Sequence, residues 1–268
     1  MYRRVAILGV DGAGNFFARA DTPHMDRLFE SGAVTYDAVT SIPTISGECW
    51  GSMLHGVEPK LHGLNNEIAS TRAYDPASDY PSIFRVARES LPEAELAAFS
   101  HWNPINTGII EKGLGVHKET GGDAALCGQI EAYLDAHDPA LLFVQFDEAD
   151  GAGHKFGYGS RLFYAKLTEI DAFIGRIAAK YEERGFAQDT LFIVSADHGG
   201  NRRHGHGGRS KAERLIFIGC AGKHVQKGVI KGMNVKDIPA VAAKALGLKS
   251  PETWTGKVPD NIFQQTGR

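Results

Sequence analysis

Four separated clusters in this 268-residue chain carry side chains able to hold metal ions: Asp11, Asp150 with His154, the pair Asp197-His198, and His206. Carboxylate and imidazole donors in this mixture suit zinc or manganese, whereas calcium takes oxygen ligands throughout. No cysteine enters the pattern, so a structural zinc knot is a poor rival. Oxygen and imidazole ligands of this kind are a recurring way to hold two divalent cations.

Each cluster has an ordinary reading beside the chemical one. Asp11 precedes Gly12-Ala13-Gly14 and could be a turn carboxylate; these glycines do not form the GxGxxG fingerprint of dinucleotide binding. Between Asp150 and His154 stand only Gly, Ala and Gly, which cannot crowd an ion. A helix would place that Asp and His on one face, but Gly151 and Gly153 favour a loop that bends back on itself. Asp147 and Glu148 compete for the same assignment or support an imidazole from behind. Asp197-His198 could be a buried dyad in which the carboxylate fixes the imidazole tautomer, with Ser46 as the third member of a hydrolase triad. His204 and His206 alternate with glycine, as a mobile surface loop does, yet their closeness to Asp197-His198 favours a metal role.

Three clusters directly follow apolar runs, Val5 to Val10, Leu141 to Phe146 and Leu191 to Ser195, that read as buried strands. A doubly wound parallel sheet gathers such strand ends at one edge. Around them the pattern alternates. Thr22-Pro23 can cap a short helix through Phe29, Ala33 to Ser41 can return as a strand, and Ser46 to Leu54 reads as a helix with Ser46 at its start, either as a cap or as a nucleophile. His62 to Gly121 reads as irregular, with a helix at Tyr80 to Ser90 and a strand at Glu95 to Ser100; residues 64–121 are a candidate small cap or substrate loop region within a single domain, 1–268. The helix Ala124 to Ala136 feeds the second apolar strand, and the long amphipathic helix Leu162 to Tyr181 feeds the third. A strand at Leu215 to Ile218 and a helix at Val235 to Leu246, stopped by Gly247, complete the series. The fold class is α/β, with a mostly parallel central sheet covered on both faces.

Composition narrows the function further. Lys+Arg 29 against Asp+Glu 32 gives net charge -3, so no basic footprint for nucleic acid is visible, although Arg202-Arg203 could meet a phosphorylated small molecule. Cys49, Cys127 and Cys220 show no close pair, which suits a reducing compartment. The first predicted strand begins at once, leaving no room for a signal peptide, and the apolar runs are too short to span a bilayer. A soluble, cytoplasmic enzyme with a small-molecule substrate and no membrane partner is the expectation, and self-association into a homo-oligomer is left open.

In order along the chain, the strand ending in Asp11, Pro43-Thr44-Ile45-Ser46, Glu58-Pro59-Lys60-Leu61-His62-Gly63, Asp150 to His154, and Ser195-Ala196-Asp197-His198-Gly199 resemble the alkaline phosphatase superfamily, in its type I phosphodiesterase and nucleotide pyrophosphatase branch. The resemblance covers roughly residues 4 to 220. It implies a three-layer α/β sandwich, a phosphate-ester substrate, and two divalent metal ions, zinc in the first place and manganese as the alternative. One would take Asp11, Ser46, Asp197 and His198, the other Asp150, His154 and His206, with His204 the alternative to His206. Counting back from Glu58-Pro59 and His62-Gly63 matches the family's nucleophile to Ser46 rather than Thr44. An Asn after the His-Gly turn donates to the phosphoryl group in the family, which matches Asn66 first and Asn65 second. The reaction so implied is phosphate-ester hydrolysis through a phosphoseryl intermediate, with a phosphomonoesterase, a phosphonate or sulfate-ester hydrolase, or a catalytically silent metal-stabilised binding protein as alternatives. The chain departs from the family at Gly47-Glu48-Cys49-Trp50, which stands where many members have Phe-Pro-Asn-His. An acidic Glu48 beside an incoming phosphate is unfavourable unless it turns away or meets a cation.

Overall fold

The computed structural model of the protein describes residues 1–264. One sheet holds β1 Arg4–Val10, β2 Ala33–Val39, β3 Leu96–Ser100, β4 Val116–Thr120, β5 Leu141–Phe146, β6 Thr190–Ala196, β7 Leu215–Ala221 and β8 Gly228–Val229, in the order β4-β3-β5-β1-β6-β7-β2-β8. Every residue of β1, β5 and β6 is buried. Runs of Val, Ile, Leu and Phe without polar alternation have two faces to hide, so they take the centre of a sheet covered on both sides. β1 lies parallel to β5 on one flank and to β6 on the other, with Val10 level with Phe146 and Ala196. That register brings the residues after all three strands to one edge. The antiparallel β7 follows β6 and pairs with β2.

The helices are α1 Pro23–Phe29, α2 Ser46–His55, α3 Pro59–His62, α4 Asn66–Thr71, α5 Ile83–Ser90, α6 Asp123–Ala136, α7 Glu148–Phe156, α8 Arg161–Glu183, α9 Lys211–Arg214 and α10 Ile238–Leu246. One layer gathers α1, α6 and α7 around α8, and the opposite layer gathers α2 and α5 around α10, which also touches β1 and β6. The result is the three-layer sandwich the sequence suggests. Its core runs without a break from Ile7 and Leu8 in the sheet to Ile174 and Ile177 of α8 and Val241 of α10.

Several local expectations need correction. Residues 150–154 lie inside α7 instead of a doubled-back loop, and packing of α7 on α8 outweighs the low helix propensity of Gly151 and Gly153. The segment 64–121 is not only a cap or loop region, because β3 and β4 extend the central sheet itself. β4 reads VHKET and is half exposed, so as an edge strand it lacks the apolar run that marks the inner ones. Thr22 makes no capping bond to α1; the N–H groups of His24 and Met25 donate instead to Asp171 of α8, at 3.0 and 2.8 Å. Gly247 does stop α10, in the left-handed conformation at φ 73°.

Candidate metal centre

Asp11 leaves β1 fully buried. Its Oδ2 accepts from Trp50 Nε1 at 2.9 Å and from Gln145 Nε2 at 3.1 Å. Asp197, at the end of β6, accepts through Oδ1 from the N–H groups of Gly12 at 3.1 Å and His198 at 2.7 Å. The opposite oxygens, Asp11 Oδ1 and Asp197 Oδ2, are buried and have no hydrogen-bond partner among the described residues. Both face one atom: His198 Nε2 lies 3.5 Å from Asp11 Oδ1 and 3.3 Å from Asp197 Oδ2. Ser46 Oγ stands 3.2 Å from the same nitrogen.

The protonation of that ring is set by its other nitrogen. His198 Nδ1 donates to the carbonyl of Gly199 at 3.0 Å, which leaves Nε2 a lone pair when the imidazole is neutral. Burial, reinforced by neighbouring His206, pushes the imidazole pKa down to about 3, so the neutral form holds. A lone pair therefore faces two orphaned carboxylate oxygens, an arrangement that costs free energy unless a cation or a shared proton sits among them. A Ser-His-Asp triad is a poor fit, because its carboxylate must take Nδ1, whereas Asp197 and Ser46 both approach Nε2.

A second convergence adjoins the first. Asp150 and His154 occupy one face of α7, with His154 Nε2 3.1 Å from Asp150 Oδ2, and His206 Nε2 is 3.1 Å from His154 Nε2 and 3.8 Å from Asp150 Oδ1. His154 Nδ1 donates to the carbonyl of His204 at 2.9 Å and His206 Nδ1 to that of Thr44 at 2.7 Å. All three imidazoles thus spend Nδ1 on a backbone carbonyl and turn Nε2 inward, the tautomer a metal ligand requires. His204 turns away: at φ 67°, its Nδ1 bonds the carbonyl of His154 at 3.0 Å. The ring of His206 stacks on His198, centroids 4.0 Å apart, which joins the two halves. The donor set and the orphaned oxygens fit two cations.

Ser46 opens α2 as its first helical residue, with Ile45 in the cap position, so its hydroxyl is free of capping and points at the cluster. Thr44 Oγ1 instead bonds the loop that carries His206, accepting from Gly207 N–H at 2.9 Å and donating to the carbonyl of Gly208 at 3.1 Å. The two asparagines divide their work. Asn65 caps α4 by accepting from Ile68 N–H at 2.8 Å, and Asn66 Oδ1 accepts from Gly47 N–H at 2.7 Å, beside Ser46. Glu48 lies two residues past Ser46, on the far side of the helix, and burial holds its acid above the usual carboxylate range. Arg202, Arg203 and Lys155 remain exposed.

Burial raises Asp11 well above the ordinary range, and Asp197 and Asp150 raise it further. Asp197 is raised well above it too, first by burial. Three carboxylates thus share a space with no side-chain cation among the described contacts, the electrostatic counterpart of the orphaned oxygens. Sequence reading missed the residues that aim these candidate ligands: Trp50, Gln145 and Tyr158, whose hydroxyl donates to Asp150 Oδ1 at 2.5 Å. Their signal was weak, since a lone Trp, Gln or Tyr in a helix, strand or loop carries no spacing to count. A third convergence of His101, Asp123 and Glu148 lies one strand over and is paired internally, with His101 Nδ1 2.7 Å from Asp123 Oδ1 and Glu148 bound by Lys166 at 2.7 Å.

The family model described as type I phosphodiesterase / nucleotide pyrophosphatase matches residues 5–241. GPI ethanolamine phosphate transferase 2 of Aspergillus fumigatus is 26% identical over 237 residues, covering 81% of this chain and 30% of that protein. The human GPI ethanolamine phosphate transferase 2 catalytic subunit is 28% identical over 136 residues, 48% of this chain and 14% of that protein. The chain therefore spans less than a third of the length of these curated relatives. Among solved structures, murine ectonucleotide pyrophosphatase / phosphodiesterase 5 superposes with a TM-score of 0.79 at 14% identity, covering 97% of this chain and 100% of that one. A 2-O GAG sulfatase reaches 0.79 at 12% identity, covering 96% of this chain and 73% of that one. At such identities the likeness to the solved structures is one of fold.

Proposed function

The chain belongs to the type I phosphodiesterase / nucleotide pyrophosphatase family, and from that membership we propose that it is a two-metal phosphoric ester hydrolase acting through a phosphoseryl intermediate on Ser46. The observation that supports this most directly is the surround of His198 Nε2: Ser46 Oγ at 3.2 Å and two orphaned carboxylate oxygens at 3.3 and 3.5 Å. Asp11, Ser46, Asp197 and His198 would hold one ion, and Asp150, His154 and His206 the other. Divalent cations there, zinc or manganese, would supply charge for the phosphoryl oxygens and lower the proton affinity of the serine hydroxyl and of water.

The chain's own residues do the rest. Ser46 Oγ gives up its proton to solvent and attacks phosphorus in line; its bond to phosphorus forms as the bond to the leaving oxygen breaks, and that oxygen leaves with a proton from solvent. Water then attacks the phosphoserine from the vacated side; its oxygen bonds to phosphorus as the bond to Oγ breaks, the phosphate product leaves, and Oγ regains a proton given up by that water. The start of α2 turns its partial positive charge toward the phosphoryl group. Asn66, its Oδ1 held by Gly47 N–H, keeps its amide N–H groups for a phosphoryl oxygen. Glu48, on the side of α2 away from Ser46, does not face the incoming anion.

The curated relatives support a second outcome of the same intermediate, transfer of the phosphoryl-bearing group to an alcohol instead of water. A cytoplasmic location is proposed from three buried free cysteines, which suit a reducing compartment. Among the described residues no helix is long and apolar enough to cross a membrane.

One experiment tests the reading. Chelated protein is reconstituted with zinc or manganese and assayed on paired phosphate monoester and diester substrates and on a sulfate ester, with and without an alcohol acceptor. Metal-dependent turnover of a phosphate ester is expected, and Ser46→Ala lowers it by roughly 10³-fold or more while metal stays bound. Full activity after complete chelation would sink the two-metal mechanism. Preferred sulfate turnover, or an alcohol product outweighing hydrolysis, would reassign the reaction on the same site.

A further inference from the structure

We propose that Tyr158 is a positioning residue for one half of the metal centre, fixing Asp150, His154 and His206 as a unit and leaving the Asp11, Asp197 and His198 half untouched. The inference rests on the metal-centre reading above.

Tyr158 follows α7 by two residues and is 1% exposed. Its hydroxyl donates to Asp150 Oδ1 at 2.5 Å, while the other oxygen of that carboxylate, Oδ2, meets His154 Nε2 at 3.1 Å. A donor on one carboxylate oxygen fixes the plane of the group and leaves its partner free to bind in one direction. The ring itself is clamped. A Cβ on Gly153 would stand 2.4 Å from Tyr158 Cε1, and a Cβ on Gly200 would stand 2.4 Å from Cδ2. No side chain larger than hydrogen fits at either place while the ring stays, so the phenol is wedged between α7 and the loop after β6.

The same ring meets both histidines edge on, at 5.8 Å and 75° to His154 and at 6.3 Å and 80° to His206. One side chain thus touches all three residues assigned to this ion, two from α7 and one from a loop about fifty residues later in sequence. The other half is held by different means: Trp50 and Gln145 on Asp11, and backbone N–H groups on Asp197. Loss of the Tyr158 hydroxyl should therefore weaken one metal and spare the other, a split that a general loss of stability would not produce.

The test is a titration that does not depend on turnover. Zinc is added to chelated protein in competition with a chromophoric chelator, for the wild type, Tyr158→Phe and His154→Ala. The wild type takes up two equivalents, His154→Ala identifies the step belonging to the Asp150 side, and Tyr158→Phe weakens that same step by about 10- to 100-fold with the other unchanged. Two unchanged steps, or weakening of the step that His154→Ala spares, overturn the proposal. A wild type that takes up no zinc overturns the metal-centre reading instead. If Tyr158→Phe does not fold, 3-fluorotyrosine placed at position 158 of the otherwise native chain serves in its stead. Its fluorine resonance is expected to shift with the equivalent that fills the Asp150 side, and a resonance that moves with neither equivalent overturns the proposal.

Discussion

Asp11 is aimed by two fully buried side chains, Trp50 and Gln145. Trp50 can reach beneath it to donate to Oδ2 only because position 9 of β1 is glycine: a Cβ there would lie 2.4 Å from Trp50 Cη2 and 2.5 Å from Cζ3. The indole is fully buried and packs edge to face on Phe143, with ring centroids 5.8 Å apart, so it has nowhere to retreat. Gly9→Ala is therefore expected to destabilise the fold by about 1–3 kcal/mol through overpacking. It should also lower metal affinity, since the displaced indole no longer meets Asp11. Urea unfolding beside zinc titration checks both, and an unfolding midpoint equal to the wild type would show that the strand yields without moving Trp50. A nearby glycine serves by conformation instead: Gly12 at φ 65° turns its N–H onto Asp197, in a backbone region that costs other residues free energy.

At the scale of elements, the strand ends are tied to one another as well as to the site. Asp123, the first residue of α6, accepts from the N–H groups of Asp147 and Glu148 after β5, at 2.9 and 3.0 Å, and from His101 after β3, at 2.7 Å. The hydrogen bond to Asp123 raises the His101 pKa above its ordinary value. Between that ordinary value, about 6.5, and the raised one, the native state binds more protons than the unfolded chain. The contact's stabilisation is thus full below about pH 6.5 and fades as pH rises through the folded value. His101→Gln should flatten the fall of the urea midpoint as pH rises above the ordinary value of about 6.5, and equal slopes in variant and wild type would show that this contact does not contribute to the pH dependence. The elements differ in how openly the sequence declares them. β1, β5 and β6 were legible because buried parallel strands must be apolar throughout, and Asp11 and Asp197 follow two of them directly. α7 was hidden by two glycines, one of which is small to admit Tyr158, a packing demand made by a residue outside the helix. β4 was hidden because an exposed edge strand carries no apolar run. The candidate ligands announced themselves by chemical type, whereas the groups that orient them depend on contacts between distant segments, which no spacing encodes.

For the molecule as a whole, the fold and the candidate metal centre draw on different sources of stability. The sheet and its two helical layers bury a continuous apolar core that contains no ligand, so the chelated protein should keep its secondary structure and unfold cooperatively. The centre opposes that core, because Asp11 and Asp197 are buried side by side with orphaned oxygens. Cations that bind only the folded state shift the balance by mass action, about 2.7 kcal/mol for each site at a hundredfold excess over its Kd. For a chain of this size each kcal/mol moves the unfolding midpoint by about 2–4 °C, so two filled sites should raise it by roughly 10–20 °C. Scanning calorimetry over a series of free zinc concentrations checks this, with a midpoint that climbs as zinc rises. Ser46→Ala adds the decisive comparison, since it removes the attacking hydroxyl and leaves the other six proposed ligands in place. Most of the zinc-dependent rise should survive in that variant while turnover is lost, and a midpoint indifferent to zinc in the wild type would mean that the converging carboxylates and imidazoles hold no zinc.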